Sequence, residues 1–467
     1  MGRWAVQLWR GLCRAMALLV CVGLVTVLAS HATAQPAGTP EAEPRPGEWG
    51  TTVVPPGQGP ERRVPRKAPE AAVPTAVPGP TKAVPPTIRA TTVAVTGDLS
   101  RTRMTVDLTA ETTYTVFRMA DPFRVIIDLP AVEFELPAGT GRHGQGLVTA
   151  FRYGLFAPGK ARMVIDTKGP VRIGNARMIR GESGPGSRLE IDFVASTPTE
   201  FAADEIAAAA SGIDIDKAVN PPQETPPEKS RTGRTRPLIV VDPGHGGIDS
   251  GAEGTLGLEK DLVLAVAKEI QKALLATRRY DVVMTRSSDV FVSLEQRVRI
   301  STQQSADLFL SIHADSLAAK DLAQHIRGAT LYVLSEKASD DFARRMAEKE
   351  NAADLLAGIR VDTAPGDTQV RNILIDLMRR ESATLSSDFR GLLIDTLRQR
   401  ITLAREPARA APFKVLRQPG SPAVLLELGY ISNATDEQLM ASEAWRRQLA
   451  AAVTQAVGTY FKRWKGR

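Results

Sequence analysis

The sequence predicts a multidomain chain. An N-terminal all-β sandwich is followed by an α/β domain whose mostly parallel sheet is flanked by helices. Three observations carry this. At 467 residues the chain is long for a single core. Residues 88–196 hold short runs of alternating apolar and polar residues, punctuated by Gly and Pro. From 237 onward, short apolar runs alternate with stretches in which apolar residues recur every three or four positions, as strands alternating with helices do.

Residues 1–34 read as a secretory signal peptide. Arg3, Arg10 and Arg14 are its only charges, Ala15 to Ala29 is apolar, and Ala32-Thr33-Ala34 is a small-residue cleavage site. The alternative is an uncleaved anchor, but the apolar segment is short for a span, so no stable membrane span is expected after cleavage. Cys13 and Cys21 both lie in this peptide. The mature chain would therefore be cysteine-free, with no disulfide and no thiolate for catalysis or metal binding. Neither cysteine lies at a plausible cleavage point, which argues against a lipoprotein. Loss of the three arginines takes the net charge from +7 to +4. That is too mild and too evenly spread for nucleic acid, and it is compatible with an anionic polymer such as a cell wall. Residues 35–87 are rich in Pro, Ala, Thr and charge, as in VPPGQGPERRVPRKAPE, and read as a disordered linker.

In 88–196, Met104, Val106 and Leu108 alternate with polar residues, and Phe123 to Leu129, Ala161 to Thr167 and Arg188 to Phe193 are three further short strands. Gly and Pro mark the turns between them, which suggests a β-sandwich. No catalytic cluster is visible, and His143 reads as a solvated loop histidine. The run from Asp121 to Leu129 (DPFRVIIDL) resembles the AMIN domain, a β-sandwich targeting module of secreted amidases. The resemblance implies peptidoglycan as its ligand and recruitment to the division site. Residues 197–236 form a second linker, with an Ala-rich part and then a Pro- and charge-rich part.

Residues 237–467 carry the chemistry. Leu238-Ile239-Val240-Val241 is a strand that stops at Asp242-Pro243, before Gly244-His245-Gly246-Gly247. This places His245 just past a strand's carboxyl end, where open α/β sheets bind ligands. A helix over about 259–277 presents Val263, Val266, Ile270 and Leu274 on one face. Asp281 to Thr285 is a strand and Leu294 to Gln304 a helix. Leu308 to Ile312 is a strand ending at His313, Thr330 to Leu334 is another, and Ala423 to Leu428 is a buried strand carrying Glu427. Thr435 to Gln438 matches a capping box opening the last helical region. There Trp445, Leu449, Val453, Val457 and Phe461 form a core stripe.

His245, His313, Glu427 and Glu259, which opens the first helix, can converge on one rim. Two imidazoles and a carboxylate make a catalytic zinc set that leaves one position open. Bound zinc lowers a water's pKa to about 7, and a remaining carboxylate can take its proton. Glu427 suits that role, because a carboxylate in an apolar strand is costly to bury unless paired or functional. Each residue alone has a bland reading, so the joint arrangement carries the argument.

Residues 237–464 resemble the catalytic domain of zinc-dependent N-acetylmuramoyl-L-alanine amidases of the cell-division type. The matching pieces are VDPGHGG from Val241, GLEKD from Gly257, SIHAD from Ser311 and LELGYISN from Leu426. The resemblance implies zinc held by His245, Glu259 and His313, and Glu427 as catalytic residue. The bond cut would be the amide between N-acetylmuramic acid and L-alanine of the stem peptide, in the periplasm, for septal wall splitting. One departure is Ser301-Thr302, where the family often has Ala-Asn.

Between 336 and 412 lies a stretch that a minimal enzyme would not need, expected to be helical: Asp340 to Leu356 as one helix and Val370 to Leu403 as a long or broken second. The piece EKENAADLLAG resembles the inserted helix of cell-division amidases. That implies autoinhibition, with a glutamate plugging the zinc site until an activator with a degenerate metallopeptidase-like domain draws the helix away. Glu350 is the plug by register, with Glu348 as second choice. His325 reads as a surface residue. Two rivals stay open: a zinc peptidase or amidase cutting another envelope peptide bond, and a non-catalytic wall-binding protein.

Overall fold

The computed structural model describes residues 87–130, 132–181, 186–202, 233–316, 326–359 and 369–464, with side chains from 382 onward in the last stretch. The signal peptide expected over 1–34, the linker expected over 35–87 up to its last residue, most of the linker expected over 197–236, and His325 lie outside them.

The N-terminal part runs β1 Ile88–Gly97, β2 Arg101–Leu108, β3 Thr115–Met119, β4 Arg124–Pro130, β5 Val132–Phe134, β6 Val148–Ala157, β7 Lys160–Thr167, β8 Val171–Arg180 and β9 Ser187–Ala195. They form a five-stranded sheet, β5-β1-β2-β9-β8, packed on a four-stranded sheet, β3-β4-β7-β6. Met104, Val106 and Leu108 of β2 and Leu189, Ile191 and Phe193 of β9 meet Val125, Ile127 and Leu129 of β4 and Met163 and Ile165 of β7. Alternation along each strand puts these residues on the inner faces. The strands read from sequence are β2, β4, β7 and β9. The other five escaped notice because polar or small residues interrupt their apolar period, as in IRATTVAVTG and VRIGNARMIR.

β4 departs from a half-buried pattern: Arg124 through Leu129 are all buried. A strand buried on both faces needs a second covering layer. That layer is supplied by the C-terminal domain, where Ile248, Phe291 and Ala357 pack with Phe117, Met119, Ile126, Phe156 and Val164.

Between β2 and β9, Asp192 accepts from Arg103 Nε at 2.7 Å and from Arg101 at 2.7 Å. Hydrogen bonding from Arg103, then from Arg101, lowers its pKa to about 2 against the opposing cost of burial. A depressed carboxylate stabilises the fold above its unfolded pKa, near 3.9, and that contribution is lost as pH falls towards about 2. Asp192→Asn should therefore be destabilising at pH 6 and nearly neutral at pH about 2, read from urea midpoints at the two pH values.

The C-terminal domain runs β10 Leu238–Pro243, α1 Glu259–Ala276, β11 Asp281–Met284, α2 Leu294–Gln303, β12 Leu308–His313, β13 Ala329–Leu334, α3 Asp341–Asn351, α4 Ala353–Leu356, α5 Gln369–Arg398, β14 Leu403–Ala411, β15 Ala423–Glu427, α6 Ala434–Ala441 and α7 Glu443–Trp464. The sheet order is β11-β10-β12-β15-β13-β14. Every pairing is parallel except β13 with β15. Val263, Val266, Ile270 and Leu274 of α1, and Trp445, Leu449, Val453, Val457 and Phe461 of α7, share one core beside Ile239, Val241, Leu310 and Leu426 of the strands.

Three expectations are corrected. The stretch 336–412 is not helical throughout: Leu403–Ala411 is β14, which among the described residues pairs only with β13. Its sequence, LAREPARAA, holds no β-branched residue and reads as helix by propensity, while Pro407 is tolerated because this is an edge strand. The helix expected over Asp340 to Leu356 is broken at Ala352, which caps both α3 and α4. The cap expected at Thr435 sits at Asn433, whose side chain accepts from the backbone N–H groups of Thr435 and Asp436. In addition, Phe389, Leu393 and Leu397 of α5 lie in the main core. The second half of 336–412 is thus scaffold, while α3 reaches the strand ends through Glu350.

Candidate metal centre

Parallel β12 and β15 place His313 and Glu427 in register, side by side. His245 follows β10, the other neighbour of β12, and Glu259 is the first residue of α1. Four residues distant in sequence therefore meet at the carboxyl edge of the sheet. A fifth, Glu350, enters from α3; it is 4 % exposed.

The atoms that face each other are close. His245 Nε2 lies 3.1 Å from Glu259 Oε1 and 3.6 Å from Glu350 Oε2. His313 Nδ1 lies 3.1 Å from Glu350 Oε2 and 3.5 Å from Glu259 Oε1. The ligand atoms of His245, His313 and Glu350 all fall within 4.8 Å of one another. Glu348, by contrast, is at the surface, where it pairs with Arg344 at 2.8 Å.

The local backbone explains how the histidines are held. His245 adopts φ 55°, a left-handed conformation uncommon for a non-glycine residue, of the kind that clusters at functional sites. Gly244 is required by close approach, because a Cβ there would meet the His313 ring at 2.3 Å. Gly251 has φ 65°, and its Cβ would meet Glu259 and His245 at 2.7 Å. His245 Nδ1 lies 2.9 Å from Asp249 Oδ2. Burial raises the Asp249 pKa, but His245 outweighs it and keeps the carboxylate ionised, so Nδ1–H donates and Nε2 faces the cluster.

Two buried arginines fix the same loop. Arg297 donates to the carbonyls of Pro243 and His245 at 2.7 and 2.8 Å and to Asp242 at 2.7 Å. Arg286 donates to the Gly244 carbonyl at 2.7 Å. Asp242 also accepts from Thr285 and Ser311. Glu259 is anchored by the backbone N–H groups of Ala314 and Ala252, each at 2.8 Å. Sequence reading missed Asp249, Arg286, Arg297 and Asp315. Asp249 was findable, since HGGID places a carboxylate four residues after the histidine. A buried arginine carries no comparable signal.

The electrostatics of the cluster favour a cation. Burial disfavours the charged forms of both histidines, yet surrounding carboxylates overcome it. Asp249, Glu259 and Glu350 raise His245, and Glu350 and Glu259 raise His313 to about 10. Burial drives Glu427 well above the usual range; His313 offsets part of this, and Asp315, Glu259 and Glu350 add to it. Burial and then Glu350 push Asp315 up to about 6, against the pull of Lys349. His245 Nε2, His313 Nδ1, Glu350 Oε1, Glu427 Oε1 and Asp315 Oδ2 are buried without a well-formed hydrogen bond. Buried polar atoms are normally satisfied, so inward-facing orphans on two imidazoles and a carboxylate fit a divalent metal. Glu427 Oε2 accepts from the Asp315 N–H at 3.1 Å, which leaves Oε1 free to act.

Fold and cluster together define a two-domain protein: a β-sandwich joined to an α/β domain with a metal-competent site at its strand ends. The family model described as N-acetylmuramoyl-L-alanine amidase matches residues 239–459, and the AMIN domain model matches residues 93–184. The N-acetylmuramoyl-L-alanine amidase AmiC of Escherichia coli O6:H1 is 30% identical over 372 residues, spanning 78% of this chain and 87% of that protein. AmiC of Neisseria meningitidis serogroup B is 32% identical over 377 residues, spanning 77% and 86%. The solved structure of AmiC2 of Nostoc punctiforme is 27% identical, covering 49% of this chain and 99% of that one, with a TM-score of 0.35. The chain belongs to the N-acetylmuramoyl-L-alanine amidases, of the cell-division type that carries an AMIN domain. It is a peptidoglycan amidase.

Proposed function

We propose that this chain is a secreted, zinc-dependent amidase that cuts the bond between N-acetylmuramic acid and L-alanine to split the septal wall in the periplasm, and that its own α3 holds it off. The single observation that carries the reading is Glu350 Oε2 sitting 3.1 Å from His313 Nδ1, against the very atoms a metal would use. His245, Glu259 and His313 would hold zinc, and Glu350 would fill the fourth position. When bound, zinc supplies a Lewis acid that acidifies water and polarises a carbonyl. Glu427 then acts as base and acid: its Oε1 takes a proton from the attacking water and hands it to the departing amine.

Lys349 supports the plug. It forms an ion pair with Asp315, and Asp315 in turn positions Glu427 through its N–H. An activator that draws α3 away would break the Lys349–Asp315 pair and the Glu350–His313 contact at once. Sequence supports the rest: the signal peptide of 1–34 supports secretion, and the AMIN match supports peptidoglycan as the sandwich's ligand. Among the described residues no helix is long and apolar enough to cross a membrane.

The metal assignment is tested by titrating zinc into the full chain and into Asp249→Asn. Loss of the carboxylate that orients His245 should weaken zinc affinity about 10–100-fold without changing the circular dichroism spectrum. Equal affinity in the two proteins contradicts the assignment.

A further inference from the structure

The outer face of the four-stranded sheet carries a pattern that peptidoglycan recognition does not explain. Three arginines project from three adjacent strands: Arg124 on β4, Arg162 on β7 and Arg152 on β6. Each is fixed along one edge by a carboxylate of the same sheet. Arg124 Nε donates to Asp166 at 2.7 Å, Arg152 also pairs with Asp166, and Arg162 grips Asp128 with two bonds of 2.7 and 3.0 Å. Each then directs its Nη1 out of the sheet. Arg124 Nη1 donates to the Leu355 carbonyl, Arg152 Nη1 to Leu356 at 2.8 Å, and Arg162 Nη1 to Ala357 and Gly358 at 3.3 and 3.4 Å.

Those four consecutive carbonyls close and follow the last turn of α4, Ala353–Leu356, five to eight residues beyond Glu350. A helix leaves its last carbonyls without partners inside the helix, and cations are favoured there. The apolar contacts follow the same line. Ala357 is fully buried with Phe117, Ile126, Phe156 and Val164, and the Arg162 guanidinium lies 3.5 Å from the Phe156 ring centroid. On the other side of the site, the Leu155 carbonyl accepts from Ile248 and Phe291 at 3.2 and 3.3 Å, next to the His245 loop. One sheet face thus touches both the plug segment and the loop that it closes.

We infer that this face of the AMIN domain is an internal docking surface for residues 355–358, and that the sandwich thereby holds the plug shut. The inference rests on the reading of Glu350 as a plug. The geometry makes the contact releasable. The arginines keep Asp128 and Asp166 whether or not the segment is docked, so undocking leaves Nη1 donors and carbonyls that water can satisfy, and its main cost is exposing the small apolar patch around Ala357. It follows that the face is covered while the enzyme is silent. A wall ligand or activator that needs these arginines must displace the plug.

The test uses the full chain with two separate variants, one on each side of the contact. Ala357→Arg sets a cation and added bulk against Arg162, and Arg152→Glu reverses a charge facing the Leu356 carbonyl. Peptidoglycan solubilisation without activator is measured beside Lys349→Ala/Glu350→Ala, together with amide hydrogen exchange. Each docking variant should gain roughly tenfold in activity. Exchange over 341–359 should quicken, while β10, β12 and β15 keep the parent's protection, which also shows that the domain is folded. Parent-level activity in both docking variants, with the Lys349→Ala/Glu350→Ala protein active, overturns this inference and leaves the plug reading standing. Silence of all three overturns both.

Discussion

Lys349→Ala/Glu350→Ala in the full chain should raise peptidoglycan solubilisation by about a hundredfold, because a plug that leaves the site open only about one part in a hundred is thereby removed. Glu350 faces both histidines from a buried position, and Lys349 is tied to Asp315 beside it. Alanine is the best helix former, so α3 should stay helical. Asn351 still accepts from the Lys414 N–H and Asp354 from the Leu294 N–H, so the segment keeps its anchors on the catalytic domain. The rise should appear in dye release from labelled peptidoglycan without any activator. A variant as silent as its parent, with zinc bound, would show that Glu350 is not what holds the enzyme off. Deleting the whole of 338–404 would not serve as this test. Phe389, Leu393, Leu397 and Ile401 belong to the main core, and their loss would unfold the domain.

Glu427→Gln in that released background should retain zinc and lose about a thousandfold or more in rate, the range for removing a positioned acid–base group. Glutamine keeps the shape and an acceptor for the Asp315 N–H, so the strand is not disturbed. It also removes a carboxylate that is buried to 0 % exposure on an apolar strand. Tm should therefore hold, because the amide replaces a carboxyl that burial already drives toward its neutral form. His313→Ala should lose zinc and activity together. Zinc stoichiometry, rate and Tm on the same samples separate the two variants. A Glu427→Gln protein that still cuts would remove the proposed proton transfers.

The sheet of the C-terminal domain was legible because its strands are short apolar runs bounded by turn residues, and the helices between them keep a clean period. His245, His313, Glu259 and Glu427 were legible because each sits at a strand end or a helix start, which topology gathers at one edge. β14 was not legible, since Ala and Arg in an edge strand carry helix propensity. Nor were Arg286 and Arg297, whose roles arise only when α2 and the turn after β11 fold over the His245 loop. The sandwich gave its inner face by alternation. Its outer face was hidden, although β4 and β7 showed a hint: FRVIIDL and ARMVIDT are apolar on both faces at their centres, which calls for a second covering layer.

We propose that this amidase frees stem peptides at L-alanine and that its own Glu350 prevents it from doing so. The most direct test is mass analysis of the soluble products when zinc-loaded full chain and zinc-loaded Lys349→Ala/Glu350→Ala act on purified peptidoglycan side by side. Almost no product is expected from the parent. The variant should release intact stem peptides beginning with a free L-alanine amine, leaving glycan with unsubstituted lactyl groups. Fragments cut inside the stem, or equal release by both proteins, would contradict it.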